Sequence, residues 1–548
     1  MPKVRLAMAQ TNPIVGDISG NLAQTIAAID SAAALGANLV VFGEMNLTGY
    51  PIEDLAARES FITAAELAVA DLAKHLQDGK YADLAVVIGH PSRAELKKGW
   101  SIAHNSATAI IGGQITGRYA KHHLPNYSVF DEYRNFVPGN STFSFEFQGM
   151  RFSVLICEDI WQDGGPVAEL SALDTDVTLV LNGSPFEVSK DDVRLKLVVD
   201  LAKAQGTAVA YVNLVGGQDD LVFDGNSIFV DSTGGLIARA DQFATDLTIV
   251  EILDKATAIS QATSPLAQAP DLEQVWNALV LGLRDYVAKN GFKSVVLGLS
   301  GGIDSAVCAA IAADAIGAEN VFGVSMPSIY SSDHSRSDAE DLAHRIGCHY
   351  RTEAIGKLVD AFETQMDLGG LASENLQARM RGVILMALSN AEGHLTLTTG
   401  NKTELAVGYS TIYGDSVGGF APIKDVEKTM VWKLANWRND LATAKRETPP
   451  IPENSISKPP SAELRPDQVD QDSLPEYEVL DALLDAYVER RLGRVQIIAE
   501  GFDAQMVDRI IGLVDRAEWK RRQGAIGPKI TGMAFGRDRR LPITNKFR

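Results

Sequence analysis

The stretch SVVLGLSGGIDSAVCAAI, residues 294–311, decides how the second half of the chain is interpreted. Residues 295–299 form a short run of valine, leucine and glycine, which is typical of a strand buried on both faces. Gly301 and Gly302 then predict a tight turn, because glycine adopts backbone angles that are closed to other residues. From Ile303 the apolar spacing becomes helical. A strand, a glycine turn and a helix N-terminus together present free backbone N–H groups to a phosphate.

The turn differs from the common ATP-binding loop, which has four residues between its glycines and then a lysine. Here Ser300 and Ser305 offer hydroxyl donors, and Asp304 offers a carboxylate suited to a phosphate-bound Mg²⁺. The alternative is an ordinary turn between a strand and a helix. The complete hexapeptide SGGIDS between these two elements favours a phosphate site.

Length, charge and cysteine content limit the possible functions. A chain of 548 residues predicts two or three domains. The net charge of −20 argues against nucleic acid or an anionic membrane as the main partner. Three cysteines (Cys157, Cys308 and Cys348) are too few for a disulfide framework and indicate a reducing compartment. With no long apolar segment in the sequence, we expect a cytoplasmic protein.

The C-terminal tail departs from this acidic balance. Residues 520–548 contain nine basic residues and one acidic residue, Asp538. Such a run is usually a solvated surface, and here the alternative is a surface that faces anionic ligands.

The N-terminal half alternates strands with helices, which indicates an α/β layered domain. Helices are expected around residues 22–33, 63–76 and 191–203. Strands are expected at Val4–Gln10, Leu39–Phe42, 84–89, 107–111, 152–156, 177–181, 209–213 and Ile228–Val230.

Three polar residues stand at the ends of apolar strands in this half: Glu44, Lys121 and Cys157. Singly, they are explained as a turn cap, a solvated strand end and a small core residue. Together they contain the parts of thiol acyl transfer: a thiol nucleophile, a carboxylate that takes its proton, and an ammonium that stabilises the anionic intermediate. Spacing along the chain does not show that they meet.

The segments around these residues, GEMNLTGYP (43–51), YAKHHLP (119–125) and ICEDIW (156–161), resemble the signature segments of the nitrilase superfamily. The resemblance implies an α-β-β-α sandwich that hydrolyses amides, with Glu44 as general base, Lys121 as stabilising or proton-donating lysine and Cys157 as nucleophile. Glu132 matches an additional glutamate near that triad. The segment NGSPF (182–186) is similar to the substrate-holding segment of glutamine-cleaving members, which implies glutamine contacts at Tyr127, Ser184 and Lys190.

A region rich in Ala, Ser, Thr, Gln and Pro, residues 255–271, separates the two halves, so we predict domains at residues 1–254 and 272–548 with this linker between them. In the second domain, helices are expected at 272–290, 338–346 and 376–388, and further strands at 321–326 and 395–398. This rhythm predicts a doubly wound parallel sheet with ligands beyond the carboxyl ends of its strands. The turn TTGNKTE (398–404) follows one of those ends, and it also has the composition of a helix cap.

The C-terminal half resembles NAD synthetases, a family within the ATP-pyrophosphatase group, through SGGIDS, ENLQAR (374–379), TGNKTE (399–404) and KPPSAEL (458–464). The resemblance implies Mg²⁺ at Asp304 and Glu404, and deamido-NAD contacts at Asn375, Glu404 and Lys520. It implies ATP contacts at Gly298, Leu299, Ser300, Gly301, Gly302, Ile303, Asp304, Ser305, Thr399, Lys428 and Ser461.

Together the two resemblances imply that ammonia released from glutamine amidates deamido-NAD to NAD, after ATP has adenylated the nicotinate carboxylate, and that the ammonia travels along an enclosed path. They also imply a homo-oligomer, at least a dimer through the synthetase domain. Three alternatives stay open: a different ATP-pyrophosphatase amidotransferase, a plain amidase with an inactive synthetase half, and a non-enzymatic nucleotide sensor or scaffold.

Overall fold

The structure is a computed structural model that describes residues 4–98, 101–260, 266–465 and 468–546. It divides into two compact units. The N-terminal unit comprises Met1–Gln218 and Val222–Ala269, and the C-terminal unit comprises Asp219–Leu221 and Pro270–Arg548.

The N-terminal unit contains most of the strands. They are β1 (Val4–Gln10), β2 (Leu39–Phe42), β3 (Ala85–Lys98), β4 (Ser101–Ile111), β5 (Gln114–Ala120), β6 (Ser144–Phe147), β7 (Met150–Ile156), β8 (Val177–Asn182), β9 (Ala208–Asn213), β10 (Val215–Gln218), β11 (Leu221–Asp224), β12 (Ile228–Val230), β13 (Leu236–Arg239), β14 (Asp246–Asp254) and β15 (Thr257–Ser260). Its α-helices are α1 (Ile18–Ala34), α2 (Glu59–His75), α3 (Glu132–Asn135), α4 (Gly165–Glu169) and α5 (Lys190–Gln205).

Two sheets form the body of this unit, in the orders β15-β14-β1-β2-β3-β4-β5 and β13-β12-β9-β8-β7-β6. Strands β1, β2 and β3 run parallel, as do β7, β8 and β9. Leu6 and Val41 of the first sheet share one apolar core with Val154 and Leu179 of the second. Helices α1 and α2 cover the opposite face of the first sheet, and α5 packs on β9 and β12 of the second. The expected α-β-β-α sandwich is confirmed.

The structure adds strands that the apolar pattern did not predict: β5, β6, β10, β11, β13, β14 and β15. β5 reads QITGRYA and has exposed residues along most of its length, so it lacks the buried run on which the prediction depended. The edge strand Thr257–Ser260 pairs with β14, which places the start of the predicted linker in the sheet. Residues 261–265 of that linker lie outside the described residues.

The C-terminal unit contains a smaller sheet and most of the helices. Its strands are β16 (Val295–Gly298), β17 (Val321–Ser325), β18 (His349–Thr352) and β19 (Leu395–Thr396). Its α-helices are α6 (Asp271–Lys289), α7 (Ile303–Ile316), α8 (Asp333–Ile346), α9 (Gly356–Met366), α10 (Leu371–Glu392), α11 (Lys402–Val407), α12 (Lys428–Ala444), α13 (Glu453–Ser457), α14 (Tyr477–Leu484), α15 (Arg494–Ala499), α16 (Ala504–Arg516) and α17 (Glu518–Arg521).

This sheet is entirely parallel, in the order β18-β17-β16-β19. Val296 and Val324 pack against α9 and α10, while α7 contacts β16 and β17. The chain order reverses between β16 and β19, and ligands of open parallel sheets bind outside the carboxyl ends of strands at such a point. The SGGIDS loop follows β16 and the TTGNKTE turn follows β19, so both predicted segments lie at the reversal.

The basic tail is not simply a solvated surface, because several of its cations are buried and paired within the C-terminal unit. Lys529 is 1% exposed and lies 3.2 Å from Asp538. The Arg521 guanidinium lies 2.9 Å from Glu518 and stacks on Phe535. These cations therefore fix the end of the chain to its own fold.

Candidate active sites

The first site begins where β2 and β7 end. Glu44 follows β2, and Gly89 allows the turn after it to approach β3, because a side chain there would come within 2.5 Å of the Met45 backbone nitrogen. Cys157 follows β7 with a φ of +42°, in the left-handed region that non-glycine residues seldom adopt. Such conformations persist where the surroundings hold them, and they cluster at functional sites. Lys121 follows β5, and its backbone N–H donates to the carbonyl of Asn105.

The structure brings the predicted charged residues of this half together. The Lys121 Nζ lies 2.8 Å from Glu44 Oε1 and 2.9 Å from Glu132 Oε2. All three side chains are at most 3% exposed. Cys157 is buried and within electrostatic reach of Glu44 and Lys121. This is the grouping that thiol acyl transfer requires, with the ammonium shared between two carboxylates.

Glu44 is held entirely by donors. Its Oε1 accepts from Lys121 and, at 2.6 Å, from the Asn105 amide, and its Oε2 accepts from the Gly183 N–H at 2.9 Å. An ionised carboxylate is an acceptor only, so this arrangement suits the charged form that takes a proton from a thiol.

Burial shapes the proton affinities of the cluster. Burial, and then the Glu44 carboxylate, raise the pKa of the Cys157 thiol well above its ordinary value, while Lys121 opposes them. Burial lowers the pKa of Lys121, but Glu132 and Glu44 outweigh it, so that pKa lies well above its usual range. Burial also raises the pKa of Glu132 to about 7, against the lowering effect of Lys121. The resting thiol therefore keeps its proton and needs a base for attack.

The three residues that the resemblance assigns to glutamine lie in different surroundings. Ser184 is 3% exposed, and its backbone N–H donates to Asn213. Tyr127 is 53% exposed, and its hydroxyl donates to Glu158 at 2.8 Å. Lys190 begins α5 and lies 3.6 Å from a glutamate three residues earlier.

Two residues of this site were missed from the sequence. Asn105 is fully buried and donates to Glu44, and Tyr50 is buried and donates to Glu132 at 2.8 Å. Asn105 lies in β4, SIAHNSATAII, between His104 and Ser106, and the apolar run that predicts this strand begins only at residue 107. The sequence therefore carries no local signal for its role, since a buried polar side chain is identified by the partners that the fold supplies.

The second site begins with the SGGIDS loop, which turns as predicted. Gly301 has a φ of +78°, and a side chain there would come within 2.3 Å of the Ser335 carbonyl oxygen at the start of α8. Ser300 and Ser305 do not simply point outward as donors: their hydroxyls lie 3.2 Å apart, and that of Ser305 donates to the Gly302 carbonyl. They hold the loop in its turned shape.

A buried lysine connects the two strand ends of this unit. Lys428 is 1% exposed, and its Nζ lies 2.5 Å from Asp304 Oδ2 and 3.3 Å from Glu404 Oε1. Asn401 donates to Asp304 Oδ1 at 2.9 Å, and its own Oδ1 accepts the backbone N–H of Glu404. The TTGNKTE turn is therefore a helix cap, and it also places Glu404 beside the SGGIDS loop.

The two carboxylates fit a site for Mg²⁺. Both contact one ammonium group, so they converge on a single cation, and carboxylate oxygens are the ligands that Mg²⁺ prefers. Among the described residues, no cluster of three or more His, Cys, Asp and Glu residues could hold a metal ion. Mg²⁺ sites completed by substrate phosphates commonly use only one or two carboxylates.

Burial raises the pKa of Glu404 to about 8, with Lys428 opposing and Asp304 adding to the rise.

The remaining predicted residues lie on nearby segments of the same unit. Asn375, on α10, accepts a hydrogen bond from Thr411 at 2.8 Å. The Lys520 ammonium donates to two carbonyls, those of residues 408 and 410, at 2.8 Å each. Ser461 accepts from the backbone N–H of Glu463. Thr399 directly follows Thr398, which lines a pocket beside Glu404.

A pocket of the C-terminal unit opens beside Glu404. Its lining includes Thr398, Gly400, Glu404, Ser410 and Asp415. Glu404 therefore lies both at this pocket and at the lysine that contacts Asp304. A ligand in the pocket would reach the Glu404 carboxylate.

No helix among the described residues has both the length and the apolar character needed to cross a bilayer.

Comparison with known proteins assigns a family to each half of the chain. Residues 5–261 match the carbon-nitrogen hydrolase family, and residues 275–524 match the NAD synthase family. A glutamine-dependent NAD(+) synthetase of Acinetobacter baylyi is 45% identical over 100% of this chain and 99% of its own length.

Two solved structures cover almost the whole chain. One is a glutamine-dependent NAD+ synthetase from Acinetobacter baumannii in complex with ADP, 43% identical, with a TM-score of 0.77 over 99% of this chain and 98% of its own. Another, from Cytophaga hutchinsonii, has a TM-score of 0.82 with the same coverage and, at 23% identity, supports the fold alone. The full-length identity, together with the two family matches, shows that this chain belongs to the glutamine-dependent NAD(+) synthetase family.

Proposed function

We propose that this chain amidates deamido-NAD to NAD, using ATP and ammonia released from glutamine, with the residues assigned below. The observation that carries the proposal is the presence in one chain of two separate centres, Glu44–Lys121–Cys157 and Asp304–Glu404–Lys428, on the two folds that the family combines.

In the N-terminal unit, Cys157 is the nucleophile and Glu44 the base. Glu44 takes the thiol proton as sulfur attacks the side-chain amide of glutamine, and Lys121 stabilises the negative charge that develops on the amide oxygen. Ammonia leaves, and water then hydrolyses the thioester to glutamate. Ser184, Lys190 and Tyr127 hold the glutamine, and Glu132 keeps the Lys121 ammonium in place.

In the C-terminal unit, the SGGIDS loop and Lys428 bind the phosphates of ATP, together with Thr399 and Ser461. A carboxylate reacts poorly with ammonia because oxide would have to leave. Transfer of AMP to the nicotinate carboxylate, with loss of pyrophosphate, supplies a better leaving group, and ammonia then displaces AMP. Asn375, Glu404 and Lys520 hold deamido-NAD.

Asp304 and Glu404 would hold Mg²⁺, and that ion would supply positive charge to offset the negative charge of the pyrophosphate leaving group. Their convergence on Lys428 supports this assignment.

One assay tests the whole proposal. The protein is supplied with ATP, Mg²⁺, deamido-NAD and either glutamine or ammonium, and NAD, AMP, pyrophosphate and glutamate are measured. We expect one NAD for each AMP with either nitrogen source, and glutamate only with glutamine. AMP formation that does not depend on deamido-NAD would indicate a different acyl acceptor. Glutamate formation without any NAD would indicate a plain amidase.

We further propose a homodimer that forms through the C-terminal unit. Exposed apolar side chains on α9 and α10 support it: Phe362, Met366 and Leu371 are 45%, 59% and 70% exposed. Light scattering on the parent and on Leu371→Glu tests it, with a monomeric variant expected.

A further inference from the structure

Asp159 lies two residues beyond Cys157 and is fully buried, and among the described residues its carboxylate accepts from four donors, none of which is a cation. Its Oδ1 accepts from the backbone N–H groups of His122 and His123, at 3.1 and 2.9 Å. Its Oδ2 accepts from the Tyr119 hydroxyl at 2.7 Å and from the backbone N–H of Ile156 at 3.0 Å. A buried carboxylate costs free energy unless donors satisfy it, and four do so here.

These four donors come from two separate segments. Tyr119, His122 and His123 flank Lys121, and Ile156 directly precedes Cys157. One carboxylate thus joins the segment that carries the ammonium to the segment that carries the thiol. On both segments the donors lie close to the group that they position, since each is within two residues of Lys121 or Cys157.

Each segment has its own reason to need this support. Lys121 follows the end of an edge strand, β5, so its segment has sheet partners on one side only. Cys157 holds a left-handed backbone conformation, which needs surrounding contacts to persist. The bond from Ile156 to Asp159 closes the turn that contains Cys157, and the bonds from His122 and His123 extend that support to Lys121.

We propose that Asp159 is a positioning residue, which sets the distance and orientation between the Cys157 thiol and the Lys121 ammonium. The inference rests on the proposed function of that pair. This role requires a carboxylate, because both of its oxygens accept hydrogen bonds. The amide of an asparagine would offer one acceptor oxygen, and its NH₂ group would face groups that themselves donate.

The test compares Asp159→Asn with Asp163→Asn, which changes an exposed carboxylate four residues farther along the chain. For Asp159→Asn we expect kcat with glutamine to fall about 100-fold, as misplacement of reacting groups by about 1 Å does. The KM for glutamine and NAD synthesis from ammonium should change little. Asp163→Asn should match the parent.

Alkylation of Cys157 by iodoacetamide supplies a measurement that does not depend on turnover. Lys121 opposes the rise in the pKa of the thiol, so loosening it should move the pH profile of alkylation upward in Asp159→Asn. Tyr119→Phe removes one donor and leaves three backbone donors, so it should fold and shift the same profile in the same direction by less.

The outcomes separate the inference from the proposed function. The positioning role is overturned if the pH profile of alkylation is the same in Asp159→Asn and Tyr119→Phe as in the parent. It is also overturned if the kcat of Asp159→Asn with glutamine lies within twofold of that of the parent. Equal loss of glutamine- and ammonium-dependent synthesis also overturns it, since that indicates general unfolding. If the parent does not hydrolyse glutamine but the variants still shift the pH profile of alkylation, the positioning role is supported and the proposed function is contradicted.

Discussion

Both units place a buried lysine between two carboxylates, but the carboxylates differ in access. Lys121 and Lys428 are each 1% exposed. The partners of Lys121, Glu44 and Glu132, are 1% and 3% exposed. Those of Lys428, Asp304 and Glu404, are 18% and 17% exposed. The same three charges are thus sealed in one unit and open to a ligand in the other.

The difference corresponds to what each centre must do. Amide hydrolysis needs groups that keep one geometry, and a sealed cluster with every charge paired provides it. Adenylation needs charges that accept phosphates and a cation, which requires that carboxylates remain reachable. Burial of the partners, rather than of the lysine, distinguishes the two centres.

The largest effect should come from removing the thiol of the sealed centre. Cys157→Ala should lower glutamine-dependent NAD synthesis by at least about 10³-fold, because loss of the nucleophile removes the covalent route. Synthesis from ammonium should be retained, and Cys348→Ala, at a half-buried cysteine of the C-terminal unit, serves as control. Parent-like synthesis from glutamine in Cys157→Ala would contradict the assignment.

A change in the open centre around Lys428 should lower NAD synthesis from glutamine and from ammonium to the same extent. Glu404→Gln should lower NAD synthesis from glutamine and from ammonium together, by about 100-fold or more, because charge stabilisation at the adenylation step is lost. Initial rates with both nitrogen sources measure this. Glu447→Gln, at an exposed position of the same unit, should match the parent. A variant that lost only the glutamine reaction would contradict the comparison.

The stability of the two units should respond differently to loss of each lysine. Lys121→Met leaves two sealed carboxylates unpaired and should cost about 3–5 kcal/mol. Lys428→Met should cost less, because Asp304 and Glu404 retain contact with water. Urea denaturation of both variants measures the costs, and equal losses would show that the difference in exposure has no energetic consequence.

The smallest effect concerns pH. The pKa of Glu132 is raised by burial from 4.5 to about 7, so between these values the native state keeps a proton that the unfolded chain has lost. The free energy of unfolding should therefore fall as pH rises from 4.5 to 7, and this contribution should vanish in Glu132→Gln. Unfolding temperatures measured across that range in the parent and the variant test it. An unchanged slope would show that burial does not raise this pKa.

Local sequence patterns predict the secondary structure correctly wherever the contacts that form it are close in sequence. The run that precedes SGGIDS predicts β16, the glycines predict the turn, and the following spacing predicts α7. The ranges of β1 and β2 were predicted to the residue. Strands β5 and β18 were missed, since exposed residues along them remove the apolar signal.

The sequence by itself determined that both halves are α/β and which types of group are available for chemistry, because apolar periodicity and strand-end turns are local properties. The α-β-β-α sandwich followed only from the resemblance of three segments to the nitrilase superfamily. It could not show that Lys121 meets Glu44, 77 residues away along the chain, or that Lys428 meets Asp304, 124 residues away. Those encounters depend on strand order, which places distant segments at one edge of a sheet. The roles of Asn105 and Asp159 depend on it even more, since a buried polar side chain acquires its function only from the partners that packing supplies.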